Sequence, residues 1–114
     1  FPHVRNGIVE FPPTTVRMAG GNLPAAGGGY LRIFPLAVTL WAIRRVNEVE
    51  QRPVMVYLHP WELDPGQPRI RAPLRSRFRH YTRLGGMRKK VDRLLGEFRF
   101  GTVSEVCQTL SLIP

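Results

Sequence analysis

Val54-Met55-Val56-Tyr57-Leu58-His59-Pro60-Trp61-Glu62-Leu63-Asp64 is the stretch on which the reading of this chain turns. Its first five residues are apolar without a break, rich in β-branched and aromatic types, and they run straight into one ionisable side chain. Pro53 stands before the run and Pro60 ends it, so it reads as a short strand buried on both faces with His59 at its carboxyl end. In α/β sheets the carboxyl ends of parallel strands form the rim where ligands bind and reactive side chains project. That makes His59 the first candidate for chemistry.

Upstream, Leu36, Leu40, Ile43 and Val46 recur three or four apart, with Trp41 widening the apolar stripe and Arg44, Arg45, Asn47 and Glu48 covering the outside. The spacing predicts a helix over 34–49, opened by Pro35 and followed through Pro53 by the central strand. A helix feeding a strand is the order of a parallel α/β unit. Before it, Gly20-Gly21-Asn22 and Gly27-Gly28-Gly29 enclose a segment expected to be flexible. The second cluster, running into Tyr30-Leu31-Arg32, would let backbone approach a ligand, although its spacing is neither a dinucleotide fingerprint nor a P-loop. Ile8 to Met18 reads as two short strands about the Pro12-Pro13 break, and Glu10 as a solvated strand carboxylate.

Downstream, 63–86 reads as a long basic loop in which Arg75, Arg77 and Arg79 alternate, which would set them on one face of an extended segment with Phe78 and His80 on the other. Met87, Val91, Leu94 and Leu95 predict a helix to Gly96 whose wet face is Arg88, Lys89, Lys90 and Arg93. Phe98-Arg99-Phe100 reads as a strand, and Thr102-Val103-Ser104-Glu105 as a capping box opening a last helix through Leu110.

Ala26-Gly27-Gly28-Gly29-Tyr30-Leu31-Arg32, His59-Pro60-Trp61-Glu62 and Ser76-Arg77-Phe78-Arg79-His80-Tyr81, in that order, resemble the carboxyl-terminal part of bacterial polysaccharide deacetylases, a NodB-like carbohydrate esterase family, in its exopolysaccharide- and exosortase-associated branch. The resemblance implies an α/β fold, the carboxyl-terminal portion of a deacetylase-type (β/α) barrel. It implies an enzyme that removes N-acetyl groups from a polysaccharide with a divalent metal ion, zinc foremost, held by an aspartate and two histidines that this chain does not contain. His59 takes the position of the late histidine that protonates the leaving amine, and Tyr30, Arg32, Trp61, Glu62, Arg77 and His80 those of the substrate cleft. The basic loop would be a lid along the oligosaccharide. Tyr57 and Pro60 stand where the wider family has leucine and aspartate, as in the exosortase-associated branch. The bacterial cytoplasm is the favoured compartment.

Composition narrows the alternatives. A chain of 114 residues that opens at Phe1 is short for a complete barrel, which typically needs about 250. It is therefore expected to be a single partial domain, inactive as a deacetylase by itself and prone to self-associate through open sheet edges. One cysteine, Cys107, excludes an internal disulfide, and no apolar run approaches the roughly 20 residues of a membrane span. Of 17 basic residues 11 fall between Arg69 and Arg99 with 2 of the 8 acids, leaving 6 against 6 elsewhere, and 15 of the 17 are arginine. So large a share of arginine reflects genome composition more than selection for a partner, which argues against nucleic acid. The rival to an enzyme is a non-catalytic module in which Arg75, Arg77, Arg79, Lys89 and Lys90 bind nucleic acid or an acidic polysaccharide. Nothing like a nucleophile elbow surrounds Ser76, which sets a serine hydrolase aside.

Overall fold

A computed structural model describes residues 1–18 and 20–114. Helices and strands are mixed, but the strands are two short antiparallel hairpins and no barrel forms among the described residues. The first hairpin pairs β1 (His3–Arg5) with β2 (Ile8–Glu10). Asn6 and Gly7, both at positive φ, join them, an Asn-Gly turn whose twist matches paired strands. Its register sets His3 against Glu10, an exposed pair at 3.3 Å, so Glu10 is a solvated carboxylate as expected. The second hairpin pairs β3 (Thr15–Met18) with β4 (Gly21–Pro24). Leu23 and Pro24 thus lie in a strand, inside the segment that the sequence predicted to be flexible.

The helices are α1 (Gly28–Ile33), α2 (Leu36–Arg44, continued by a π turn Arg45–Val49), α3 (Leu74–Tyr81), α4 (Met87–Glu97) and α5 (Val103–Thr109). No helix among the described residues is long and apolar enough to cross a membrane. On α2 the buried positions are Thr39, Ala42, Ile43 and Val46, one stripe at three- and four-residue steps. Trp41 lies off that stripe and is exposed, contrary to its expected place in the core. α5 opens on the capping box read from the sequence: the Glu105 amide donates to the Thr102 hydroxyl and the Glu105 carboxylate accepts from the Thr102 amide. The carboxylate also accepts from the Thr102 hydroxyl at 2.9 Å, and these two bonds to it, the one from the Thr102 amide foremost, hold the Glu105 carboxyl below the usual range.

Two apolar clusters make the core. Val16, Ala25, Ala26, Ala42 and Val46 form one; Leu31, Ile43, Met87 and Leu94 form the other, and Val54 packs against both. The segment 54–58 is therefore central, as its composition implies. It is not a strand buried on both faces. Its one ladder contact is a parallel bridge of Tyr57 to Gly27, with Gly28 N–H donating to Tyr57 O at 2.9 Å and Tyr57 N–H to Ala26 O at 3.3 Å. Val54, Val56 and Leu58 pack inward at alternate positions, while Tyr57 is 42% exposed. Among the described residues Phe98-Arg99-Phe100 pairs with no strand either; Phe98 is the extended residue ending α4 and packs on the second cluster.

The expected basic loop contains a helix. Leu74, Phe78 and Tyr81 supply helical spacing behind Pro73, and arginine is a good helix former, so the period of 3.6 prevails over the apparent alternation of Arg75, Arg77 and Arg79. Those three arginines consequently do not share the face of an extended segment.

Lys90 also departs from its expected place on the wet face of α4. Its ammonium donates to the carbonyls of Leu31 (2.7 Å), Arg32 (3.1 Å) and Phe34 (2.7 Å), closing the carboxyl end of α1. Burial, with the Arg83 guanidinium adding to it, holds Lys90 below the ordinary lysine pKa. Lys90→Met preserves the stem and removes all three donors. It is expected to lower unfolding stability by about 1–3 kcal/mol in a urea titration, the cost of leaving partly buried carbonyls unpaired. A loss within about 0.5 kcal/mol, as for ordinary surface sites, would show that water replaces the ammonium freely.

Candidate functional site

Three segments meet at a cleft of about 480 Å³: α1, the segment around His59, and α3. What joins them is a buried ion pair. Arg32 Nε donates to Glu62 Oε1 at 2.9 Å, and the two side chains are 4% and 1% exposed. The rest of the guanidinium reaches the carbonyls of Arg79 (3.1 Å), His80 (2.8 Å) and Thr82 (3.2 Å), gripping the end of α3. Glu62 Oε2 accepts from the His59 amide at 3.0 Å, while the Glu62 amide donates to the His59 carbonyl at 2.9 Å. One carboxylate thus fixes the His59 backbone on one side and the Arg32 clamp on the other.

The glycine cluster follows from this arrangement. A Cβ on Gly28 would stand 1.9 Å from Glu62 Oε2, and one on Gly27 would stand 2.6 Å from the Tyr57 hydroxyl oxygen. The close approach that requires glycine is therefore to the protein's own side chains, where the sequence suggested a ligand. Gly29 meets nothing within 4 Å and lines the cleft.

Tyr57, His59 and Trp61 stand at alternate positions and form a row of rings. Tyr57 and His59 meet edge to face at 6.2 Å, His59 and Trp61 lie nearly parallel at 5.9 Å, and His80 stacks on Trp61 at 3.9 Å. The Arg32 guanidinium carbon lies 5.0 Å from the Trp61 ring centre. His80 Nε2 lies 3.1 Å from Gln67 Oε1, whose amide nitrogen in turn donates to the Trp61 carbonyl at 2.8 Å. Pro60 opens a 3-10 turn, Pro60–Leu63, and this turn swings Trp61 across the floor and Glu62 into the interior. His59 itself is exposed, and among the described residues its ring forms no cap bond, the Glu62 amide donating to the His59 carbonyl instead. It presents a free imidazole between two aromatic neighbours.

Of the residues singled out by sequence, Tyr30, Arg32, His59, Trp61, Glu62 and His80 line this cleft. Arg77 does not; it borders a shallower hollow with Arg69, Leu74 and Phe78. Arg32 and Glu62 are not free to receive a ligand, since they are buried and bound to each other, so their part is to position. Tyr57 and Arg79 also line the cleft and were not singled out for it. Tyr57 was legible in its two-residue offset from His59; Arg79 arrives only because α3 is helical. A hollow of about 530 Å³ around Phe1 and Pro12 contains none of these residues.

Residues 2–108 match a family described as Domain of unknown function (DUF3473). The chain belongs to that family. No curated protein and no solved structure matches it.

The described residues of this cleft do not by themselves make a divalent-metal site. Among the described residues no three of His, Cys, Asp and Glu gather closely enough to hold an ion. Both Glu62 oxygens are engaged, and His80 Nε2 faces Gln67.

Proposed function

We propose that this chain is the carboxyl-terminal part of a polysaccharide N-deacetylase, supplying a proton-donating histidine and an aromatic sugar platform to an active site whose metal ligands lie on other residues. The observation that carries the reading is the free imidazole of His59, fixed through its backbone by Glu62 at the mouth of a cleft floored by stacked rings. The motif resemblance adds the chemistry. When the tetrahedral adduct of an acetamide collapses, the C–N bond breaks and the amine nitrogen must take up a proton; an imidazolium at the cleft mouth donates it and is left neutral. An imidazole both accepts and donates a proton through its ring nitrogens, which suits that task. Flat aromatic faces suit the apolar faces of sugar rings and ask for no net charge.

The test uses the chain's two tryptophans, Trp41 and Trp61. In a Trp41→Phe background, chitin oligomers are expected to perturb Trp61 fluorescence saturably, and the response should change little with salt. Trp61→Ala should weaken binding, followed calorimetrically, by about 0.5–2 kcal/mol or more as a stacked ring is lost. Binding of DNA instead, with affinity falling steeply as salt rises, would replace this reading by the basic-module one.

A further inference from the structure

We infer that the outer face of α3 and the segment before it dock on an anionic phospholipid surface. Between Asp64 and Asp92 the chain has nine basic residues and no acid. No residue of α3 is buried, and its apolar side chains are among the most exposed in the protein: Leu74 is 81% and Phe78 71% exposed, one turn apart. Ile70, also 71% exposed, is held beside this stripe because its amide donates to the Tyr81 hydroxyl at 2.9 Å, and the Arg69 guanidinium lies over the Tyr81 ring at 5.1 Å. Arg69, Leu74, Arg77, Phe78 and Tyr81 border one shallow depression.

Large apolar groups left in water beside cations of a single sign are the pattern of a helix that lies in a membrane interface, with rings and branched chains below the headgroups and guanidiniums among the phosphates. A nucleic acid or an acidic polysaccharide would pair the arginines and leave Ile70, Leu74 and Phe78 wet. The inner side of the same helix faces the cleft through Ser76, Arg79 and His80, so docking would set the cleft beside the membrane surface.

The experiment is co-sedimentation of the chain with vesicles of phosphatidylcholine alone and of equimolar phosphatidylcholine and phosphatidylglycerol. Binding is expected only to the second. Leu74→Ser with Phe78→Ser should lower it by about tenfold or more through lost apolar burial, and Arg75→Ala with Arg77→Ala by about thirty-fold through two lost headgroup attractions. Circular dichroism should be unchanged in both variants, because all four side chains are exposed. The inference is overturned if anionic vesicles are not bound, or if the serine variant binds them as well as the parent chain. It is overturned equally if the serine change abolishes a chain dimer in solution while vesicle binding stays absent, since the stripe would then belong to a second copy.

Discussion

Glu62→Ala is expected to be the most destabilising single substitution in the cleft, costing about 3–5 kcal/mol. The carboxylate is 1% exposed and the Arg32 guanidinium 4%, so removing one leaves the other as a buried charge without its counter-charge. The loss spreads along the contacts already described: the His59 amide loses its acceptor, and the clamp from Arg32 to the end of α3 loses its anchor. For a domain near this size each kcal/mol moves the midpoint by about 4–8 °C, so thermal unfolding should fall by roughly 12–40 °C. Glu62→Gln keeps an acceptor for Arg32 and should cost less, and Arg32→Met with Glu62→Leu should recover much of the loss, because no charge is then stranded. Gly28→Ala should act in the same direction, since its Cβ needs the space of Glu62 Oε2. A loss below about 1 kcal/mol for Glu62→Ala, the range of exposed pairs, would mean that water reaches the guanidinium and that the clamp is not what joins the three segments.

His59→Ala should have the largest effect on activity. In the deacetylase of which we propose this chain forms part, it is expected to reduce kcat by about 10²–10⁴-fold, the usual contribution of a positioned proton donor. KM should change little, because the proton is needed in the transition state and not for binding. Thermal unfolding should be nearly unaltered, because the ring is exposed and only the His59 backbone is tied to Glu62. Trp61→Ala should show the converse, a raised KM with a smaller change in kcat. An unchanged kcat for His59→Ala in a metal-loaded enzyme would remove the proton-donor role while leaving the sugar platform intact.

The sequence by itself determined the local features. Periodicity placed α2 and α4, because an apolar stripe at 3.6 residues has one face to bury. The capping box opened α5 where Thr102 and Glu105 say it should, because both of its bonds close within one turn. The centrality of 54–58 and the meeting of His59, Trp61 and Glu62 were also legible, since residues this close in a chain bent by Pro60 cannot separate far. Tertiary structure decided everything that depends on what arrives from elsewhere. Whether Val54–Leu58 becomes a ladder strand depends on partners, and among the described residues only Gly27 bridges to it, at Tyr57. Lys90 looks like any lysine on a charged helix until α1 ends within its reach. Arg32 and Glu62, 30 residues apart, carry no local sign that they will be buried against each other; that choice was made when two segments packed together and left each charge only the other.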